Sequence, residues 1–147
     1  MGTYDYAIGD TTPKWDDHGG SIRIQQIMNA AAIIASNATL TAAAKITSGD
    51  IINAINLPAG FVVTSIGVKV TTAATAGTTL SMGLAAGTEA FAALDIATTG
   101  YTVIAETVDW GYDNDSYVYT ADGTLDVAYL ADETIGEFTI TVIGYQL

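Results

Sequence analysis

The chain has no cysteine, two prolines, one histidine and four basic residues in 147 positions. Each shortage removes a class of answer. Without cysteine there is neither a disulfide nor a thiolate metal site, so stability has to come from packing and assembly. The four cations, Lys14, Arg23, Lys45 and Lys69, stand against 16 acidic residues and leave a net charge of -12, with a pI near 4.1. Phosphate backbones are bound by neutralising them, and scattered cations on so acidic a chain form no patch, so nucleic acid is not an expected partner. An anionic membrane surface is disfavoured by the same charge, which also keeps the chain soluble at high local concentration. The longest apolar run, 30–35, is far too short to cross a bilayer. The first residues, Met1-Gly-Thr-Tyr-Asp-Tyr, lack the basic region and apolar core of a signal peptide, which predicts synthesis in the cytoplasm without Sec-type export.

The single histidine, His18, lies in Trp15-Asp16-Asp17-His18-Gly19-Gly20. A neighbouring carboxylate orients a histidine as a base or metal ligand only when further partners converge, and no second histidine or cysteine exists. There is no Gly-x-Ser-x-Gly, no His-Glu-x-x-His and no phosphate-binding glycine loop. Catalysis and cofactors are therefore not expected.

What the chain does contain is half hydrophobic residues with only 14% charged, the balance being largely Thr, Ser, Asn and Gly. Thr suits a pleated, half-exposed surface and glycine punctuates turns, so the composition is one of strands and turns. Residues 1–21 differ: Tyr4, Tyr6 and Trp15 sit among aspartates, and Pro13 and Gly19-Gly20 break regular structure. They read as an extended N-terminal arm that spans up to roughly 70 Å, long enough to reach a neighbour.

From residue 22 the chain alternates. In 61–72, Val62, Thr64, Ile66, Val68 and Val70 share one face and Ser65, Gly67, Lys69 and Thr71 the other, a period of two that means strand. Leu80, Met82 and Leu84 form another such face, as do Leu125, Val127 and Tyr129, and Ile51, Ile55 and Leu57 before the Pro58-Ala59-Gly60 turn. In 134–147, Phe138, Ile140 and Val142 oppose Thr139, Thr141, Ile143 and Tyr145. Both faces are partly apolar, which predicts a central strand covered on both sides, one of them by a neighbour. With 22–28, 101–110 and 117–120 this makes about eight short strands and predicts an all-β sandwich, jelly-roll-like, over 22–147. The Ala-rich stretch 29–45 permits a helix, but its β-branched residues and its Asn and Ser argue for turns; 85–95 reads as a loop or a single helical turn.

The acidic run 109–116 brings carboxylates close together, as a calcium site needs, but lacks the glycine and glutamate of an EF-hand loop and reads as a solvated loop. Trp110, Tyr112 and Tyr117 cluster around it. Aromatics beside carboxylates serve sugar-binding faces and protein interfaces alike. With Tyr4, Tyr6 and Trp15 they are the candidate interaction residues, and a carbohydrate- or receptor-binding module is the alternative they leave open.

The run Asp50-Ile-Ile-Asn-Ala-Ile-Asn-Leu-Pro-Ala-Gly-Phe-Val-Val-Thr-Ser-Ile-Gly-Val-Lys-Val resembles a group of small tailed-phage virion proteins: a strand, a Pro-Ala-Gly turn, then a long hydrophobic strand. The resemblance continues through Thr79-Leu-Ser-Met-Gly-Leu, Phe91-Ala-Ala-Leu-Asp, the Tyr119-Thr-Ala-Asp-Gly-Thr-Leu-Asp turn and Gly136-Glu-Phe-Thr-Ile-Thr-Val, covering roughly residues 46–147. Where the group often carries an Asp-rich stretch after the third strand, this chain has Gly83-Leu-Ala-Ala-Gly-Thr, so no metal site is carried over. The resemblance implies a head decoration protein that stabilises the outer capsid surface of a virion, commonly as a homotrimer, with the major capsid protein as partner.

Overall fold

The computed structural model describes residues 2–8, 22–75, 79–84, 87–105 and 117–147. Along them run β1 (Thr3–Ile8), β2 (Ile22–Asn29), α1 (Ala30–Ser36), α2 (Ala38–Ala43), β3 (Ile51–Leu57), β4 (Phe61–Thr72), β5 (Thr79–Leu84), β6 (Gly87–Asp95), β7 (Gly100–Ala105), β8 (Tyr117–Val118), β9 (Gly123–Tyr129) and β10 (Glu137–Gln146). Two sheets form, ordered β1-β3-β9-β5-β6 and β2-β10-β4-β7, with the short β8 beside β4. Setting aside β1 and β8, the first strand pairs with the last, β2 with β10; then β3 with β9, β4 with β7, and β5 with β6, all antiparallel. A long hairpin wrapped so that its arms alternate between two sheets gives this nesting, which makes the fold an all-β jelly roll. To it β1 adds a parallel edge strand on β3.

The core lies between the sheets. From the four-stranded sheet come Met28, Ile66, Val68, Val70, Phe138, Ile140 and Val142; from the other come Ile52, Leu80, Met82, Leu125, Val127 and Tyr129. Burying each of the larger side chains contributes about 1.5–3 kcal/mol. Gln26 also points inward from β2, and its side-chain amide donates to the Tyr6 carbonyl at 2.7 Å, so this buried polar group is satisfied across the sandwich.

The expected alternation is present but is interrupted by register shifts, two of which change which residues face the core. In β3, Asn53 pairs with Asp126 and Ile55 with Leu125, leaving Ala54 as an extra residue. Ile52 rather than Ile51 therefore joins Ile55 and Leu57 in the core. In β4, Ser65 faces Ile143 while Val63 faces Gly144, so Thr64 is the extra residue. Phe61 and Val63 consequently point inward with Ile66, Val68 and Val70, and the expected face through Val62 and Thr64 is overturned. A bulge inserts one residue into one strand only, and counting by twos carries the wrong parity across it. Thr64 compensates by donating its hydroxyl to the Ile143 carbonyl at 3.0 Å.

Two further expectations fail. Residues 29–45 hold two short helices because asparagine caps both: Asn29 accepts from Ala32 N–H, and Asn37 accepts from Thr39 and Leu40 N–H. Capping and the burial of Ile33 and Leu40 outweigh the β-branched residues. Residues 87–95 are strand β6, paired with β5, instead of a loop or helical turn.

Buried carboxylates tie the loops to this frame. Asp50 accepts from Gly2 N–H at 2.7 Å and Thr47 N–H at 2.8 Å, anchoring the start of β1. Glu133 accepts from the N–H groups of Thr134, Ile135 and Gly136 through one oxygen and from Thr75 N–H through the other, all within 2.7–3.0 Å. Burial pushes the Glu133 carboxyl up, but these four donors outweigh it and hold it below the usual carboxylate range.

Two predictions follow from this frame. A Cβ at Gly144 would stand 2.0 Å from the Val62 carbonyl oxygen, so Gly144→Ala has to break the bulge and costs about 3 kcal/mol or more, read as a fall in the denaturant midpoint. Glu133 has a lowered folded-state pKa, so its stabilisation is full above its unfolded value and is lost as pH falls through the folded one. Glu133→Gln, which cannot accept through its amide nitrogen, lowers stability at neutral pH by about 1–3 kcal/mol and flattens the acid limb of a stability–pH curve.

Candidate functional site

One face of the four-stranded sheet packs on the core; the opposite face is a grid set by the strand register. Arg23 of β2, Ile143 of β10 and Ser65 of β4 form one row; Gln25, Thr141 and Gly67 the next; then Ile27, Thr139, Lys69 and Tyr101 of β7. Glu137 closes the grid, its carboxylate accepting from Asn29 Nδ2 at 2.7 Å and Thr71 Oγ1 at 2.9 Å. Those two bonds hold the Glu137 carboxyl below its ordinary range, and it stays anionic. Gln25 donates to Thr141 Oγ1 at 2.9 Å, which stiffens the middle row.

The grid is a shallow concavity of about 650 Å³. β10 forms its floor, with Thr139, Thr141 and Ile143 half-buried, and Ile27 (56% exposed) and Tyr101 (64% exposed) rise at opposite margins. Tyr101 lies over Gly67, where a Cβ would come within 2.6 Å of its hydroxyl; the missing side chain lets the ring lie down on the sheet. Arg23 and Lys69 stand roughly 13 Å apart along the strands and roughly 10 Å across them. Lys45 pairs with Asp132, lowering that carboxyl chiefly through the hydrogen bond between them. Among the described residues, Arg23 and Lys69 have no such acidic partner, and both line the same face.

Of the aromatic residues singled out from the sequence, Tyr4, Tyr6 and Tyr117 lie among the described residues. Tyr4 and Tyr6 lie on β1 and pack, partly buried, against the molecule's own core. Trp15, Trp110 and Tyr112 fall outside the described residues, as do His18 and the acidic run 109–116. Tyr117 belongs to β8, opposite Val63. Tyr119, next along, is buried, its hydroxyl donating to the Thr124 carbonyl at 3.2 Å. Among the described residues, no group of three or more His, Asp or Glu is placed to hold a metal ion, and no helix is long and apolar enough to cross a membrane. Sequence reasoning did not pick out the grid; its one signal was the partly apolar second face of β10.

The fold and this polar face define a jelly-roll sandwich in which the described residues leave one sheet face open. Chains from three solved phage capsid structures share that fold along nearly their whole length. A chain from "Capsid of Ralstonia phage GP4" matches with a TM-score of 0.63 at 16% identity, covering 92% of this chain and 90% of that one. One from "Cyanophage Pam1 capsid asymmetric unit" matches at 0.61 and 19%, covering 92% of each. One from "Acidic stable capsid structure of Helicobacter pylori bacteriophage KHP30" matches at 0.56 and 17%, covering 86% and 87%. At these identities the likeness is one of fold. No family model and no curated protein matches the sequence.

Ile27 and Tyr101 are largely exposed, so neither side chain adds much to the stability of the fold. Ile27→Ser and Tyr101→Ala each change unfolding free energy by less than about 1 kcal/mol in denaturant titrations, against the larger loss expected at Gly144.

Proposed function

We propose that this chain is a structural, non-enzymatic component of a bacteriophage virion, of the decoration type that coats and stabilises the outer capsid surface. The observation that carries this reading is the end-to-end correspondence of fold with chains from three phage capsid structures. The net charge of -12 supports it, since an acidic subunit is repelled by packaged nucleic acid and stays soluble at the high copy number a shell requires. A sheet face that the described residues leave open supports it as well, because an assembling subunit needs a surface to give to its neighbours. In this reading the partners are the major capsid protein and further copies of the chain, as a homotrimer. Residues 22–147 are the body and residues 1–21 an arm that clasps a neighbour. The chain is made in the host cytoplasm and ends on the virion exterior.

The test is to add the purified chain to phage heads that lack it and measure bound copies and shell survival on heating. Saturable binding with a raised disruption temperature is expected, and removal of residues 1–21 lowers occupancy. No binding to heads, or recovery of the chain with tails alone, rejects the decoration role; unchanged occupancy without residues 1–21 rejects the arm's part in it.

A further inference from the structure

We propose, building on that reading, that the open face of the four-stranded sheet is a head-to-tail contact for a second copy of the chain, which presents its acidic surface to Arg23 and Lys69. Charge segregation is the argument. The sequence holds four cations, one of which, Lys45, is paired with Asp132. Arg23 and Lys69 share one face, where Glu137 is the only described acid and is held at one end by Asn29 and Thr71. Of the three cations among the described residues two are gathered here, while the described acids Asp5, Asp95 and Asp122 stand exposed outside this face. The complement to this face is therefore carried by the chain itself.

The geometry sets the polarity of the contact. Pairing two such faces with each other would bring four cations into one interface, whereas setting the face against the acidic surface of the next copy relieves charge on both sides. Such a contact is heterologous and closes into a ring or propagates. Ile27 and Tyr101 supply the apolar area between the charges, and the Thr139, Thr141 and Thr71 hydroxyls give hydrogen-bonding groups that accept either polarity. Four strands of about eight residues make a patch of roughly 500 Å². That is below the ~800 Å² per partner of a standard stable interface, so the contact is modest, salt-sensitive and dependent on concentration.

Sedimentation velocity of the full chain over a wide concentration range, at low and high salt, tests this. The wild type is expected to associate at low salt, with its dissociation constant rising at least about tenfold at high salt. The double variant Arg23→Glu/Lys69→Glu loses self-association while keeping its acidic surface, so mixed with wild type it forms hetero-complexes and shortens wild-type oligomers. Melting curves check that it folds; Arg23→Gln/Lys69→Gln replaces it if it does not. A wild type that stays monomeric throughout overturns the proposal, as does a variant of undiminished mass, or mixtures without hetero-complexes. Head binding is scored separately. A monomeric chain that coats heads removes this contact and the homotrimer with it, and leaves the decoration role standing. Self-association through this face without head binding does the reverse.

Discussion

The pairing of β10 between β2 and β4 is the contact on which the rest of the molecule depends. On one side of β10, Phe138, Ile140 and Val142 fill the middle of the core; on the other, Thr139, Thr141 and Ile143 floor the open face. Its far end secures the turn into β4, where Leu147 N–H donates to the Gly60 carbonyl at 2.9 Å and Gln146 Nε2 to the Ala59 carbonyl at 2.9 Å. The strand can sit this close because residue 144 is glycine. The bulge at Thr64 brings the Val62 carbonyl to where any side chain at 144 would stand. Core, turn and external face are thus positioned by one strand.

Much of this architecture is written in local pattern. Alternation marks the strands at 22–29, 61–72, 79–84, 123–129 and 137–146, and the Pro58-Ala59-Gly60 turn is where expected, with Gly60 at a φ of +81°. Inward and outward parity was harder to read. Ala54 and Thr64 are extra residues only relative to strands far away in sequence, and no local rule announces a bulge that a distant partner creates. The helices were missed for the opposite reason. Asn29 and Asn37, taken as turn formers, are caps, and a cap and a turn use the same side-chain chemistry until the following residues find something to bury against.

The open face was the least visible feature because its members come from four strands. Arg23, Lys69 and Tyr101 share no motif and no spacing; register alone sets them side by side. Three other tyrosines that the structure describes behave differently. Tyr4, Tyr6 and Tyr119 serve the interior, as large side chains with one polar tip often do when a carbonyl or edge strand is near. Two of the few cations of an acidic chain are thus gathered on a sheet face that the described residues leave open.

The nesting of first strand with last has a consequence for how the chain comes into being. Gln25 and Thr141, hydrogen-bonded across β2 and β10, are separated by 116 residues, so their sheet cannot close while the later part is still inside the ribosome. Until β10 arrives, β2 and β4 present unpaired edges with nothing between them, and the nascent molecule is a set of waiting strands. The net acidic charge already holds unfinished copies apart in a crowded cell.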